Sequence, residues 1–211
     1  MSTGAGERRW RGRVTVLVVA VLCLSAGAVL GWSGRGDDSA GADAATVVLA
    51  DSDIAFAQQM SAHHQQAVTM VDMLGPTVAP DIRAVGEQIR TAQWREIGMM
   101  TGWLELAGAP LQPPASGHEQ HAGHPGMHGM ASNDDLTRLH TVTGTEREVL
   151  FLQLMLRHHQ GGVEMAADAV RAVTVAAVRD RALSMVNGQQ QEIMMLTVAL
   201  RQRGGAPLPY P

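Results

Sequence analysis

Two pairs of adjacent histidines are the residues of this sequence whose types and spacing are best suited to chemistry. Methionines flank each pair at the same spacing, which gives two matching sets: Met60, His63, His64 and Met70, then Met155, His158, His159 and Met165. Imidazole and thioether ligands together favour copper, and Cu(I) especially. Burying four imidazoles costs free energy unless they are paired, so we favour a functional role over simple packing.

These sets belong to an internal repeat with an offset of 95 residues, in which Phe56 also matches Phe151. At about 100° per residue, a helix places Phe56 and Met60 on one apolar stripe with the two histidines on either side of it. Asp53 and Glu148 open the two copies in the same frame and fall near this stripe. The predicted ligand set of each copy therefore includes a carboxylate.

The segment after each histidine helix is repeated as well. Glu96 and Glu192 lie on otherwise apolar helical stripes, and both segments end in a Gly/Ala/Pro sequence. We expect these glutamates to hydrogen-bond the histidines, which is the supporting contact that metal-binding histidines commonly have. Each repeat thus predicts a helical hairpin. Two hairpins predict an all-α, ferritin-like four-helix up-down bundle.

The N-terminus predicts a membrane segment. Four arginines between Arg8 and Arg13 precede an apolar run from Val14 to Leu30, and a Gly/Ala/Asp-rich stretch follows. Such a segment is an export signal, and we favour an uncleaved anchor with its arginines in the cytoplasm. The predicted organisation is an N-terminal membrane anchor or signal segment 1–33, a flexible tether 34–50 and a duplicated bundle 51–211, made of repeat one 51–110, a His/Met-rich linker 111–132 and repeat two 133–207.

The linker is too rich in glycine and proline for a helix or a packed strand. It carries four histidines and two methionines within thirteen residues: His118, His121, His124, Met127, His128 and Met130. Imidazole and thioether groups on a flexible chain suit a labile soft-metal site. The alternative is a spacer of low complexity that is rich in histidine. After the linker, Asn133 opens a short predicted helix, and Thr145 with Glu148 predicts a capping box for the second histidine helix.

Several functional classes are excluded. The net charge is −4 and the arginine cluster lies in the N-terminal segment, so a nucleic-acid partner is not expected. The single cysteine, Cys23, lies in the apolar run, which leaves no thiolate or disulfide outside the membrane. No glutamate stands three residues before any histidine, as a di-iron bundle requires. We find no nucleophile constellation and no phosphate-binding loop, so we do not expect an enzyme.

The repeat resembles domain-of-unknown-function family 305, which consists of exported, ferritin-like helical proteins. The resemblance covers about residues 50–205 and is carried by Phe-x-x-x-Met-x-x-His-His-Gln, by an acidic residue before the phenylalanine and by Gln-x-x-Glu-Ile on the next helix. Some members are associated with copper or silver, which implies a similar role here. The implied site residues are Asp53, Met60, His63, His64 and Met70, with Met155, His158, His159 and Met165.

Two departures from the family pattern lie in the second half. Glu148 replaces the expected aspartate, and Gly161 and Gly162 stand where the first half has Gln66 and Ala67. Two glycines inside a helix weaken it by about 1 kcal/mol each. We therefore expect the second site to be less rigid than the first.

The sequence thus predicts a single-pass membrane protein with an extracytoplasmic C-terminal domain, or a secreted protein if the N-terminal segment is cleaved. The expected function is copper binding, as Cu(I) or with Ag(I), for buffering or for hand-off to an unidentified metal-transfer protein. The alternative is a structural or protein-interaction module of the cell envelope, in which the histidines only stabilise the bundle.

Overall fold

Five helices contain most of the residues that the computed structural model describes, which are 48–112 and 128–210. In chain order they are α1 (Asp51–Asp72), α2 (Pro80–Leu106), α3 (Asn133–Thr141), α4 (Gly144–Ala172) and α5 (Ala176–Gln202). No strand occurs in this part of the chain, as the all-α prediction requires. The predicted anchor, most of the tether and most of the linker lie outside the described residues. No helix of the described part is long and apolar enough to cross a membrane.

The four long helices form a bundle of two hairpins. α1 packs along α2, α4 packs along α5, and the hairpins meet mainly where α1 packs on α4. Pro80 stands at the first position of α2, where its missing N–H costs nothing, and the short α3 packs on α4. The predicted helices begin and end within a few residues of the observed ones, because proline and glycine mark their ends.

Two apolar clusters fill the interior at opposite ends of the bundle. The cluster that we call the methionine-rich end contains Phe56, Ala57, Met60, Met100, Leu104, Met165, Ala166, Ala169, Val173, Val178, Ala182 and Met185. The cluster that we call the aliphatic end is rich in leucine and includes Met70, Val71, Ile89, Leu150, Phe151, Leu152, Leu154, Met155, Leu196 and Leu200. Because α1 passes from one cluster to the other at His63 and His64, the histidines lie between the two.

The predicted capping box of the second histidine helix is wrong. α4 begins at Gly144, and the Thr143 that precedes it makes no side-chain cap. The Glu148 carboxylate instead accepts a hydrogen bond from the Ala79 backbone N–H, at 2.7 Å, and another from Arg203 Nε, at 2.7 Å. A tertiary contact with α2 and the end of α5 therefore replaces the local one.

Candidate metal centre

Four histidines from the two repeats form one buried layer across the middle of the bundle. His63, His64, His158 and His159 are all 0% exposed. The rings of His63 and His158 stack across the α1–α4 contact, with centroids 3.8 Å apart and planes 34° from parallel. Within each pair the centroids are 6.3 Å and 6.1 Å apart. We use "histidine layer" for these four residues together with their partners Glu96 and Glu192.

Backbone carbonyls determine which nitrogen carries the proton in the stacked pair. His63 Nε2 lies 3.3 Å from the carbonyl oxygen of His128, and His158 Nε2 lies 2.9 Å from that of His63. A carbonyl oxygen only accepts, so both Nε2 atoms donate. The Nδ1 atom of each neutral ring then holds a lone pair. Neither Nδ1 has a hydrogen-bond partner among the described residues, although both are buried.

The other two histidines are held by the glutamates that the sequence pointed to. His64 Nε2 lies 2.7 Å from Glu96 Oε2, and His159 Nε2 lies 2.7 Å from Glu192 Oε2. The repeats differ at the remaining nitrogen. His64 Nδ1 is buried with no partner in the described part, whereas His159 Nδ1 lies 3.0 Å from the Met155 carbonyl oxygen. Three of the four histidines therefore present an unpartnered Nδ1.

Burial keeps the stacked imidazoles neutral. The pKa of His63 falls to about 3, because burial and the neighbouring His64 both disfavour its charged form. The pKa of His158 falls well below its ordinary value for the same reasons, burial first and His63 second. Since a metal ion binds the neutral imidazole, these rings need lose no proton before they bind one at neutral pH.

Further polar atoms in the core lack partners among the described residues. They are Ser61 Oγ, Gln93 Oε1 and both amide atoms of Gln189. A buried polar group without a partner costs about 1–3 kcal/mol. In folded proteins such groups are paired with an ordered water or a bound ligand, so these atoms mark the polar part of the core around the histidine layer.

The last residues of the linker lie against the histidine layer and explain the two glycines. A Cβ atom on Gly161 would lie 1.8 Å from the His128 carbonyl oxygen, and one on Gly162 would lie 2.2 Å from Gln189 Oε1. Gln66, the counterpart of Gly161, donates to the Ala131 carbonyl at 2.9 Å and accepts from its N–H at 2.7 Å. The glycines thus make room for packed groups, and α4 continues through them without a break.

The structure does not bring Asp53 and Glu148 to the histidine layer. Each carboxylate stands ten residues before the first histidine of its copy, which is about 15 Å along a helix. Asp53 accepts hydrogen bonds from the N–H groups of Thr174 and Val175 at 3.0 and 3.2 Å, ahead of α5. We therefore remove both carboxylates from the predicted ligand set. The apolar stripe of the helix groups both carboxylates with the histidines, because a stripe describes the angle around the helix axis and ignores the distance along it.

The four methionines of the predicted set lie on both sides of the histidine layer. Met60 and Met165 belong to the methionine-rich end, whereas Met70 and Met155 belong to the aliphatic end. Met60 and Met155 are one helical turn from the first histidine of their copy, and the other two are two turns away. No group of three His, Cys, Asp or Glu side chains able to hold a metal occurs in residues 48–112 and 128–210.

Of the six predicted linker ligands, the structure describes only two. His118, His121, His124 and Met127 lie outside the described residues. The His128 side chain is 54% exposed, and its Nδ1 lies 4.0 Å from Glu164 Oε2. The backbone carbonyl of His128, by contrast, contacts His63 in the histidine layer. Met130 is partly buried against the methionine-rich end.

Fold and site together define a class: helical bundles whose core carries a duplicated His-His motif supported by glutamates. Residues 53–200 match the family described as "Domain of unknown function (DUF305)", and the chain belongs to this family. The resemblance predicted from the motif is thereby confirmed. No curated protein matches the chain.

Solved structures of the same family have the same fold. A DUF305 protein from Streptomyces coelicolor, described as a candidate secreted protein, is 35% identical with a TM-score of 0.68, over 75% of this chain and 96% of that one. A DUF305 fragment from Deinococcus radiodurans is 29% identical with a TM-score of 0.66, over 74% and 99%. CopM in its Cu(II)-bound form is 25% identical with a TM-score of 0.59, over 71% and 96%.

Proposed function

We propose that this protein binds copper in an extracytoplasmic compartment, at the histidine layer, and that it buffers the ion or passes it on. The observation that carries the proposal is the stacked pair His63 and His158. Both rings are buried and neutral, and both have a free Nδ1 lone pair. Imidazole nitrogen with thioether sulfur is the ligand combination that copper favours.

The remaining ligands of the proposed site are drawn from neighbouring positions. His64 offers a third free Nδ1, and Met60 and Met155 lie one turn from the stacked pair. Glu96 fixes the orientation of His64, and Glu192 fixes that of His159. Carboxylates commonly do this for metal-binding imidazoles. CopM, a relative with this fold, has been solved with Cu(II) bound. That relative supports copper as the metal.

Location and partners belong to the same proposal. The Streptomyces coelicolor relative is described as a candidate secreted protein, which supports an extracytoplasmic location. We propose that the N-terminal apolar segment anchors the chain in the membrane and that a metal-transfer protein receives the ion. We propose a binding role without catalysis, in a bundle of the ferritin-like, up-down type.

Competition with a Cu(I) chelator tests this function. In the full-length protein, His63→Gln with His158→Gln should weaken the tightest copper site by at least about 100-fold, because both stacked ligands are lost. His140→Gln is the matched control, since His140 is exposed on α3. It should leave the affinity unchanged.

The same variants separate the structural alternative from copper binding. If the histidines only stabilise the bundle, the double variant will melt at a lower temperature and bind copper as the unsubstituted protein does. That outcome would contradict the proposal and favour a structural module of the cell envelope.

A further inference from the structure

Each of the four long helices places one buried methionine at the same end of the bundle. These residues are Met60 on α1, Met100 on α2, Met165 on α4 and Met185 on α5, and they are 0%, 0%, 8% and 1% exposed. All four belong to one contiguous apolar cluster, the methionine-rich end. Two more methionines, Met99 and Met130, pack against that cluster and are partly buried.

Helical rise places the Cα atoms of these four methionines at similar distances from the histidine layer along the bundle axis. Met60 and Met100 stand three and four residues from the layer residues of their own helices, which is about 5–6 Å along the axis. Met165 and Met185 stand seven residues from His158 and Glu192, which is about 10 Å. The four Cα atoms therefore lie within a slab about 5 Å thick, each on a different helix.

The aliphatic end is a matched comparison within the same chain. By the internal repeat, Met60 and Met165 correspond to Met155 and Met70. In the second helix of each hairpin the offset is 96 residues, as Glu96 and Glu192 show, so Met100 and Met185 correspond to Leu196 and Ile89. These counterparts are all buried in the aliphatic cluster. Because leucine and isoleucine fill the equivalent positions there, packing alone does not require methionine at residues 100 and 185.

The two ends also differ in charge. At the methionine-rich end, the donors to the buried Asp53 carboxylate within the described part of the chain are all neutral, namely Thr174, Val175 and the Ala50 N–H. At the aliphatic end, its counterpart Glu148 is paired with the guanidinium of Arg203 at 2.7 Å. No ion pair within residues 48–112 and 128–210 involves Asp53. The methionine-rich end thus holds a buried negative charge that lacks a cation in the described structure.

We propose that the methionine-rich end is a second metal site, with only thioether ligands, for a monovalent soft cation such as Ag(I) or Cu(I). Thioethers are soft and neutral, so they favour these ions over harder divalent ones. A bound ion keeps its full positive charge among neutral ligands, and the buried Asp53 carboxylate at the same end of the bundle offsets part of it. The flexible methionine side chains can turn towards an ion without movement of the helices. This site uses none of the histidines, shares only Met60 with the ligands proposed at the histidine layer, and rests on the proposed function only for the class of metal.

Silver binding to the full-length protein tests the proposal without the need for a reductant. The variant Met100→Leu with Met185→Ile gives the methionine-rich end the residues that the aliphatic end already has. Such swaps change volume little, so we expect the variant to fold, and circular dichroism and thermal melting will verify this. Titration calorimetry should then show the loss of one Ag(I) ion per protein, or a silver affinity at least tenfold weaker.

A second variant controls for the removal of thioethers as such. Met73→Leu with Met194→Leu removes two methionines outside the proposed site, of which Met194 is 62% exposed. This control should leave silver binding unchanged. X-ray absorption of the silver-loaded protein should show a shell of sulfur atoms.

Three results would overturn the second site: unchanged silver binding in Met100→Leu with Met185→Ile, an equal loss in the control, or a silver shell without sulfur. The histidine variant distinguishes this failure from that of the proposed function. If His63→Gln with His158→Gln loses copper while the methionine variant keeps silver, the layer binds metal and the second site does not exist. If the histidine variant keeps copper and the methionine variant loses silver, only the second site is real.

Discussion

The two repeats share the centre of the bundle and differ at its ends. Both supply a stacked histidine with a free Nδ1 and a second histidine held by a glutamate. Away from the layer, one end has four buried methionines and a carboxylate with no ion pair among the described residues, while the other has two buried methionines among aliphatic side chains and an ion pair. Duplication of a sequence therefore preserved the layer, where the repeats meet, and left each end free to diverge.

Among the described residues, the differences between the repeats accompany contacts that only one repeat makes. The end of the linker passes one face of the bundle, so it is bonded by Gln66 on α1 and needs Gly161 on α4. Arg203 lies just past the end of α5 and pairs with Glu148. Each feature can serve only one half of a duplicated structure. Equivalent positions in the two halves therefore carry different residues for physical reasons.

The largest expected effect concerns the layer that the repeats share. His63 and His158 have lower pKa values in the folded protein than the ordinary 6.5, about 3 for His63. Below pH 6.5 the unfolded chain binds more protons than the folded one, so stability is lost as the pH falls towards 3. The loss is about 1.4 kcal/mol per pH unit for each histidine. Chemical denaturation at a series of pH values measures it.

Carboxylates titrate in the same range, so the comparison is made between variants. His63→Gln with His158→Gln should flatten the dependence between pH 6.5 and 4, and His140→Gln should not. An unchanged slope in the double variant would mean that the stacked imidazoles are not neutral in the folded protein.

The next prediction tests the difference in charge between the methionine-rich end and the aliphatic end. Arg203→Met leaves Glu148 without its cation and should lower the free energy of unfolding by about 3 kcal/mol, because a buried charge loses its partner. Adding Glu148→Gln should restore part of that loss. Asp53→Asn should cost only about 1 kcal/mol, because the amide oxygen still accepts hydrogen bonds. Equal losses at the two ends, measured by urea denaturation, would contradict the charge difference.

The smallest effect tests why the second repeat has glycine where the first does not. Gly161→Ala should destabilise the protein by about 2 kcal/mol, because its Cβ meets the His128 backbone. Gly188→Ala is the control, since a Cβ there has no neighbour within 4 Å. It should stabilise α5 by up to about 1 kcal/mol. Hydrogen exchange at the Ala131 amide should increase in the first variant only, and unchanged exchange would contradict the packing of residues 128–131.

The sequence predicts the helices and the glutamate partners of His64 and His159 well, because both depend on patterns within short segments of the chain. Proline and glycine mark the ends of the helices, and the spacing of apolar residues shows where the helices run. Glu96 and Glu192 occupy equivalent positions in the two repeats, and each contacts a histidine of its own repeat. The helical stripe groups Asp53 and Glu148 with the histidines because it gives the angle around the helix and ignores distance along the axis. The rise per residue, which the sequence also gives, separates each carboxylate from the first histidine of its copy by about 15 Å.

Other features depend on contacts between segments far apart in the chain. The stacking of His63 on His158 requires the relative position of α1 and α4, which no local pattern contains. The role of Gly161 depends on where the linker returns to the bundle, so the sequence shows only the helical cost of glycine. Met100 and Met185 were detectable as departures from the repeat, because their counterparts are Leu196 and Ile89.

The central claim is that the histidine layer binds copper through the stacked pair. Copper X-ray absorption on the copper-loaded, full-length protein tests it most directly, with His63→Gln and His158→Gln as the comparison. We predict imidazole nitrogen around copper in the unsubstituted protein and its loss in the double variant, while His140→Gln retains it. A copper environment that is the same in all three proteins would contradict the account.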